Sequence, residues 1–203
     1  MKFKYFVSAD KFGSYLDGNT QCDLCGTETR CFDASLFIGE DEMDAICPGC
    51  LAAGELKDMD LYTCEGDIAE LRKQLKELNP SATETEIEQL ITQKTEELEK
   101  TTPALVTWQD WEWPVADGDY CAFIGYGSRP LYNQLAKDKD GKKFFKYSLY
   151  SSFTDNSNAD ELWDESMPGK LIRNGNEAEG LSPLFYVFRS LHSEKIVTVW
   201  DID

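Results

Sequence analysis

Two pairs of cysteines, each pair separated by two residues, constrain the fold of this chain more than any other feature of its sequence. Cys22 and Cys25 form the first pair, Cys47 and Cys50 form the second, and 21 residues lie between the pairs. Two intervening residues let the backbone turn so that both sulfurs face one ion, and Gly26 favours such a turn. The spacing therefore predicts that four thiolates hold one tetrahedral metal ion.

The ligand type narrows the metal and its role. Thiolates without histidine favour zinc or an iron–sulfur centre over magnesium or calcium. Four thiolates leave no open coordination position, so we expect one structural Zn²⁺ and no catalytic metal. Two alternatives stay open: redox catalysis at Cys47-Pro48-Gly49-Cys50, because C-x-x-C motifs can lower a thiol pKa, and unliganded buried thiols. The remaining cysteines, expected to be buried small residues without a metal, are Cys31, Cys64 and Cys121.

Composition limits the class of partner. The 203 residues carry a formal charge of −18 and one histidine, with acidic blocks on both sides of a neutral segment, 101–149. This charge disfavours nucleic acid and anionic membranes, which bind clustered lysine and arginine. A hydrophobic content of 41% and five tryptophans indicate a folded protein. Because the sequence has no apolar run of bilayer length and no signal-peptide pattern, we expect a cytoplasmic protein.

Helical periodicity is confined to the middle of the chain. Ile68, Leu71, Leu75 and Leu78 recur at helical spacing, and Asn79-Pro80 ends that helix. A second apolar set, at positions 87, 90, 91 and 98, follows a capping box that either Ser81 with Glu84 or Thr83 with Glu86 can form. The segment 65–102 is therefore predicted to be a helical hairpin, with a single bent helix as the alternative.

The other segments complete an α+β fold: a zinc-knuckle amino-terminal segment (1–64), the helical hairpin, and a β-rich segment with an antiparallel sheet (103–203), together forming one compact domain. Lysines around Lys139-Asp140-Gly141 are predicted to lie in a solvated hairpin loop. Ser190–Lys195 is predicted to be the loop between the last two strands. The predicted strands, rich in aromatic and β-branched residues, are Phe3–Val7, Tyr120–Tyr126, Phe144–Tyr150, Leu184–Arg189 and Ile196–Trp200.

Five stretches of the sequence resemble the CbrC family, bacterial proteins of about this length that typically carry three C-x-x-C motifs. The resemblance covers nearly the whole chain and is most specific in the third region, which begins at Thr102-Pro103-Ala104-Leu105-Val106. The similar stretches are Cys22–Gly26, Ile46–Gly54, Thr102–Gln109, Trp113 and Gly118–Gly125.

Departures from the family pattern concern a second metal site. The resemblance implies cysteine at the position of Asp117 and a C-x-x-C motif where this chain has Ser190 and Ser193. The simpler hypothesis is that this chain keeps one zinc and has replaced the second with packing and hydrogen bonds. The alternatives are a remnant site formed by Asp117, Cys121 and His192, and a solvated loop histidine at His192.

Three classes of function follow. The first class is a non-enzymatic immunity or tolerance protein, because the resemblance implies bacteriocin tolerance without an enzymatic activity. The negative charge of such a protein would attract a basic protein partner, such as a nuclease toxin. Trp108, Trp111 and Trp113 are candidate partner-binding residues, with core packing as the alternative. An enzyme is disfavoured because phosphate-binding glycine loops, H-E-x-x-H and G-x-S-x-G are absent from the sequence; its most natural form is thiol redox chemistry. The third class is a zinc-containing regulatory or scaffold module.

Overall fold

The amino-terminal segment consists of two-residue strands and short helices joined by tight turns. The computed structural model describes residues 1–109, 111–150 and 156–203. Strands this short provide little stability of their own, so the segment depends on other contacts and cross-links. The elements of this segment are α1 (Ala9–Phe12), β1 (Thr20–Gln21), β2 (Glu28–Thr29), β3 (Phe32–Asp33), a 3₁₀ turn (Ala34–Leu36), β4 (Ile38–Gly39), β5 (Ala45–Ile46), α2 (Pro48–Ala53) and β6 (Leu61–Tyr62). The strands form three antiparallel pairs, β1–β2, β3–β5 and β4–β6.

The predicted helical hairpin is present. Helix α3 spans Ile68–Leu78 and helix α4 spans Glu84–Thr101. Thr83 and Glu86 form the capping box that begins α4, which resolves the two alternatives left by the sequence. An ion pair between Arg72 and Glu88 joins the two helices. Their buried residues, which face the core, are Leu71, Leu75, Ile87, Ile91, Thr95 and Leu98.

The carboxyl-terminal sheet is antiparallel, as predicted. It has three strands, in the order β11 (Ile196–Asp201), β10 (Leu184–Arg189) and β9 (Ala122–Tyr126). The pairing of β10 with β9 shifts between Val187 and Phe188. Ser190 N donates to Lys195 O at 2.9 Å and closes the predicted hairpin loop. The elements of this segment are β7 (Val115–Ala116), β8 (Asp119–Tyr120), β9 (Ala122–Tyr126), α5 (Arg129–Leu135), α6 (Gly141–Ser148), a 3₁₀ turn (Asn156–Asn158), α7 (Ala159–Glu161), a π-helical turn (Leu162–Ser166), α8 (Gly175–Ala178), β10 (Leu184–Arg189) and β11 (Ile196–Asp201).

The prediction of a strand at Phe144–Tyr150 is wrong, and so is the prediction of a lysine-rich hairpin loop. The Asp140 carboxylate accepts a hydrogen bond from Lys143 N at 3.0 Å, so this side chain caps α6 instead of starting a β-turn. Phe145 is buried whereas Tyr147 is 81% exposed, a pattern that a helix produces and that an alternating strand does not.

The prediction of a strand at Phe3–Val7 is also wrong. Within this stretch only Phe6 pairs, in a single parallel bridge with Phe123. Val7 N donates to Phe123 O and Phe123 N donates to Tyr5 O, each at 2.8 Å. The stretch therefore covers the outer edge of β9 without forming a strand of its own.

One hydrophobic core joins the three segments, and a second, smaller cluster lies on the other side of the sheet. Strand β10 supplies both, because its side chains alternate: Tyr186 and Phe188 lie in the first cluster, while Phe185 and Val187 lie in the second with Trp163. Over the three described ranges, none of the helices is both long and apolar enough to cross a bilayer.

Candidate metal centre

The two predicted cysteine pairs come together at one point. The Sγ atoms of Cys22, Cys25, Cys47 and Cys50 all lie within 4.8 Å of one another. The Cys25 and Cys47 sulfurs are 3.8 Å apart, and sulfurs about 2.3 Å from a tetrahedral zinc ion would be separated by about 3.8 Å. The donor set and its spacing therefore fit a metal ion held by four thiolates.

Local turns aim each pair of sulfurs inward. In the first pair, Gly26 N donates to Cys22 O at 2.8 Å, and Gly26 has a φ of 70°, which glycine adopts without strain. In the second pair, Cys47 precedes the first turn of α2, and Cys50 N donates to the Cys47 sulfur at 3.3 Å. Pro48 begins that helix, where its missing N–H has no intrahelical partner to lose.

The Asp23 side chain joins the two turns. Its Oδ2 atom accepts hydrogen bonds from Asp44 N and Ala45 N, both at 2.9 Å. Asp23 N donates to Ala45 O at 2.9 Å, and Cys47 N donates to the Cys22 sulfur at 3.3 Å. The first pair is therefore attached to the strand that leads into the second, so these hydrogen bonds hold the two pairs at a fixed distance in the folded protein.

Burial and protonation differ among the four thiols. Cys22 and Cys47 are buried, whereas Cys25 is exposed. Hydrogen bonds from Thr27 lower the pKa of the Cys25 thiol to about 6, while burial raises the pKa of Cys50. Four adjacent thiolates repel one another, so full deprotonation of the cluster requires a cation that compensates their charge.

The other three cysteines lie outside the cluster. Cys31 and Cys121 are fully buried, as predicted, whereas Cys64 is only partly buried. The Cys31 sulfur donates to Thr20 O at 3.4 Å. Burial raises the pKa of Cys31 to about 11 and that of Cys121 to about 12, so both thiols stay protonated near neutral pH.

Asp117, Cys121 and His192 do not assemble into a second site. Within the described ranges, the only group of three or more metal-binding side chains is the four-cysteine cluster. Ser190 and Ser193 each donate to Asp117 Oδ2 at 2.6 Å, and these hydrogen bonds lower the pKa of Asp117. The three positions at which the resemblance implies cysteine are thus linked by hydrogen bonds.

The three candidate tryptophans occupy different environments. Trp113 is 1% exposed, and its Nε1 donates to Cys121 O at 2.7 Å. Trp111 is partly buried against Phe188, whereas Trp108 is 47% exposed. Trp113 is therefore a core residue that offers a partner no surface, and of the three only Trp108 is largely accessible.

Two carboxylates with structural roles were missed by sequence reasoning. Asp23 lies inside the first C-x-x-C motif, where aspartate is common in turns. Asp201 is 1% exposed and accepts hydrogen bonds from Trp108 N at 2.9 Å and from Trp111 Nε1 at 3.2 Å. The turn propensity of aspartate is a local signal that could have indicated Asp23. No local pattern marks Asp201.

Fold and site together define a class: an α+β protein with a four-cysteine cluster that can hold a metal ion. The profile of a family described as Uncharacterised protein family (UPF0167) matches residues 1–202. The chain belongs to this family. No solved structure matches the chain. The family description names no activity.

Proposed function

We propose that this protein is a non-enzymatic zinc protein that acts by binding a basic protein partner, in bacteriocin tolerance or toxin immunity of the kind the CbrC family implies. The observation that carries the proposal is the convergence of four cysteine sulfurs in a chain of charge −18. The zinc gives the amino-terminal segment its shape, and the acidic surface attracts the partner.

Zinc is the metal that this site suits best. Four sulfur ligands match a structural zinc site, and the closed shell excludes a bound water or substrate. The segment around the site has only two-residue strands, so it resembles small domains in which metal binding supplies the folding free energy. The ion therefore stabilises the fold and takes no part in a reaction.

Charge supports a basic protein as the partner. Four thiolates and one Zn²⁺ add two further negative charges to the formal −18. Complementary charge accelerates association and rejects acidic competitors. A nuclease toxin fits this description because its substrate-binding surface must attract phosphates. An acidic protein that covers such a surface would block nucleic-acid binding by competition.

The experiment is a pull-down with the zinc-loaded full chain as bait, run against purified basic nucleases and against acidic proteins of similar size. We expect retention of a basic partner at 0.05 M salt and its loss at about 0.5 M salt, because the Debye length falls to a few ångströms. If no basic protein binds, or if binding does not weaken with salt, the proposal is wrong.

A redox enzyme is the alternative that one observation favours. Cys47 caps a helix and receives a hydrogen bond from Cys50 N, an arrangement that can activate a thiolate. Catalysed reduction of a disulfide substrate by the metal-free protein, with dithiothreitol as the reductant that regenerates the dithiol, would support this alternative if Cys47→Ser abolished it. A regulatory or scaffold module differs from the main proposal only in the partner, and a toxin gene beside this one would favour immunity.

A further inference from the structure

A cleft of about 300 Å³ lies between the turn after α1, the segment 106–108 and helix α8. Four of its thirteen lining residues are aromatic, and a single lining residue, Glu179, is charged. None of the lining residues is a lysine or an arginine. The lining residues that matter for its chemistry are Tyr15, Val106, Trp108, Tyr126 and Glu179.

Trp108 is the aromatic residue whose ring is free. Tyr15 stacks on Phe32 at 4.3 Å between ring centroids, and Arg30 covers its ring at 3.6 Å. Tyr126 packs against Phe12 and other core rings and is 4% exposed. Trp108, in contrast, is 47% exposed, and within the described part of the chain it forms no aromatic pair and no cation–π contact. A ligand in the cleft can therefore stack on the indole.

The backbone of the segment that carries Trp108 is fixed in place. Trp108 N donates to Asp201 Oδ2 at 2.9 Å, and Tyr186 OH donates to Val106 O at 2.8 Å. Asp201 and Tyr186 are themselves buried. The segment is therefore held before any ligand arrives, which reduces the entropy lost on binding.

The geometry points to this cleft as a receptor for an arginine side chain of the partner, an inference that rests on the proposed function. A guanidinium group stacks on tryptophan by a cation–π contact, and its planar form suits a flat ring better than the ammonium of lysine does. Glu179 forms no ion pair within the described part of the chain, so its carboxylate is available to the same cation. Tryptophan and arginine are also the residues most enriched at interface hot spots.

The test uses N-acetyl-arginine methylamide as the probe and the citrulline analogue, which has the same shape without the charge, as its control. Backbone amide shifts of the zinc-loaded full chain are followed by NMR during titration. We expect saturable shifts at residues 13–15, 106–108 and 175–180 with the arginine probe, and none with the citrulline probe. Equal shifts with both probes, or shifts only elsewhere, would overturn the inference.

Variants make the test specific to the cleft. Trp108→Ala should weaken binding of the arginine probe about tenfold, as the loss of a cation–π contact predicts, and Glu179→Gln should weaken it about threefold. Matched controls are Tyr147→Ala, which removes another exposed aromatic ring, and Glu165→Gln, which removes another exposed carboxylate; neither should change binding. Undiminished binding by Trp108→Ala refutes the assignment.

The same variants separate this inference from the proposed function. If a basic partner binds in the pull-down and Trp108→Ala leaves its retention unchanged, the proposed function stands and the arginine receptor is wrong. If the arginine probe binds as expected while no basic protein is retained, the cleft is confirmed as a guanidinium site and the proposed function fails.

Discussion

Removal of the Asp23 carboxylate should loosen the metal centre without touching a sulfur ligand. In Asp23→Ala, Asp44 N and Ala45 N lose the acceptor that each contacts at 2.9 Å. Hydrogen bonds to a charged group contribute about 1.5–3 kcal/mol each. Because Asp44 is exposed and water can replace part of the loss, we expect a total destabilisation of about 2 kcal/mol, below the roughly 3 kcal/mol that two such bonds contribute at the low end.

Zinc binds only the folded site, so this loss appears as weaker metal binding. A change of about 2 kcal/mol corresponds to a factor of about 30 in the zinc dissociation constant, within the range of about 10- to 100-fold seen when partners of metal ligands are removed. The assay is competition between the protein and a fluorescent zinc chelator at pH 7.5. Thermal unfolding of the zinc-loaded protein, which should occur at a lower temperature in the variant, gives an independent measure.

Two further variants test the reasoning. Both hydrogen bonds use one oxygen, Oδ2, so Asp23→Asn keeps an acceptor for them. This variant should show about half of the destabilisation of Asp23→Ala, because only the charge assistance is lost. Asp17→Ala removes an exposed aspartate from the same segment and should change nothing. If Asp23→Ala binds zinc as tightly as the unaltered chain, Asp23 does not hold the two turns together.

Three other predictions follow from buried groups. Trp113→Ala should lower the free energy of unfolding by about 3–5 kcal/mol in chemical denaturation, while Trp108→Ala should change it by less than about 1 kcal/mol; equal losses would contradict the burial difference. Burial alone would raise the pKa of Asp119, but the Lys94 ammonium at 2.6 Å lowers it below its usual value. Asp119 therefore contributes to the free energy of unfolding above a pH of about 4, and this contribution is lost on acidification. Asp119→Asn should flatten the acid limb of a stability–pH profile, and an unchanged limb would refute this. Burial raises the pKa of Glu99 to about 7, so stability should fall as the pH rises from about 4 to 7; Glu99→Gln should remove that fall in unfolding measured at each pH, and its persistence would show that Glu99 is not the cause.

Features encoded by local spacing could be predicted from the sequence. The convergence of the four cysteines follows from two tight turns, and the start of α4 follows from the Thr83 and Glu86 capping box. The last two strands were also predictable. They are rich in β-branched and aromatic residues, and their side chains are buried on both faces of the sheet.

Features decided by tertiary contacts could not be predicted. Aromatic residues at 144, 145 and 147 favour a strand by composition, yet the Asp140 cap and the burial of Phe145 make the segment a helix. Trp108 and Trp113 look equivalent in the sequence. Trp113 is buried because it contacts distant residues, among them Gly66 and Phe188. The bonds from Ser190 and Ser193 to Asp117 span more than 70 residues, and no local pattern encodes them.

Metal content tests the central claim, that Cys22, Cys25, Cys47 and Cys50 hold one structural zinc ion. Purified protein, expressed with zinc and iron both supplied, should contain one zinc and no iron per chain by inductively coupled plasma mass spectrometry. Cys47→Ser should lose the zinc and unfold at least the amino-terminal segment, whereas Cys64→Ser should keep it. Two zinc ions per chain, iron in place of zinc, or an unchanged zinc content and melting temperature in Cys47→Ser would contradict the account.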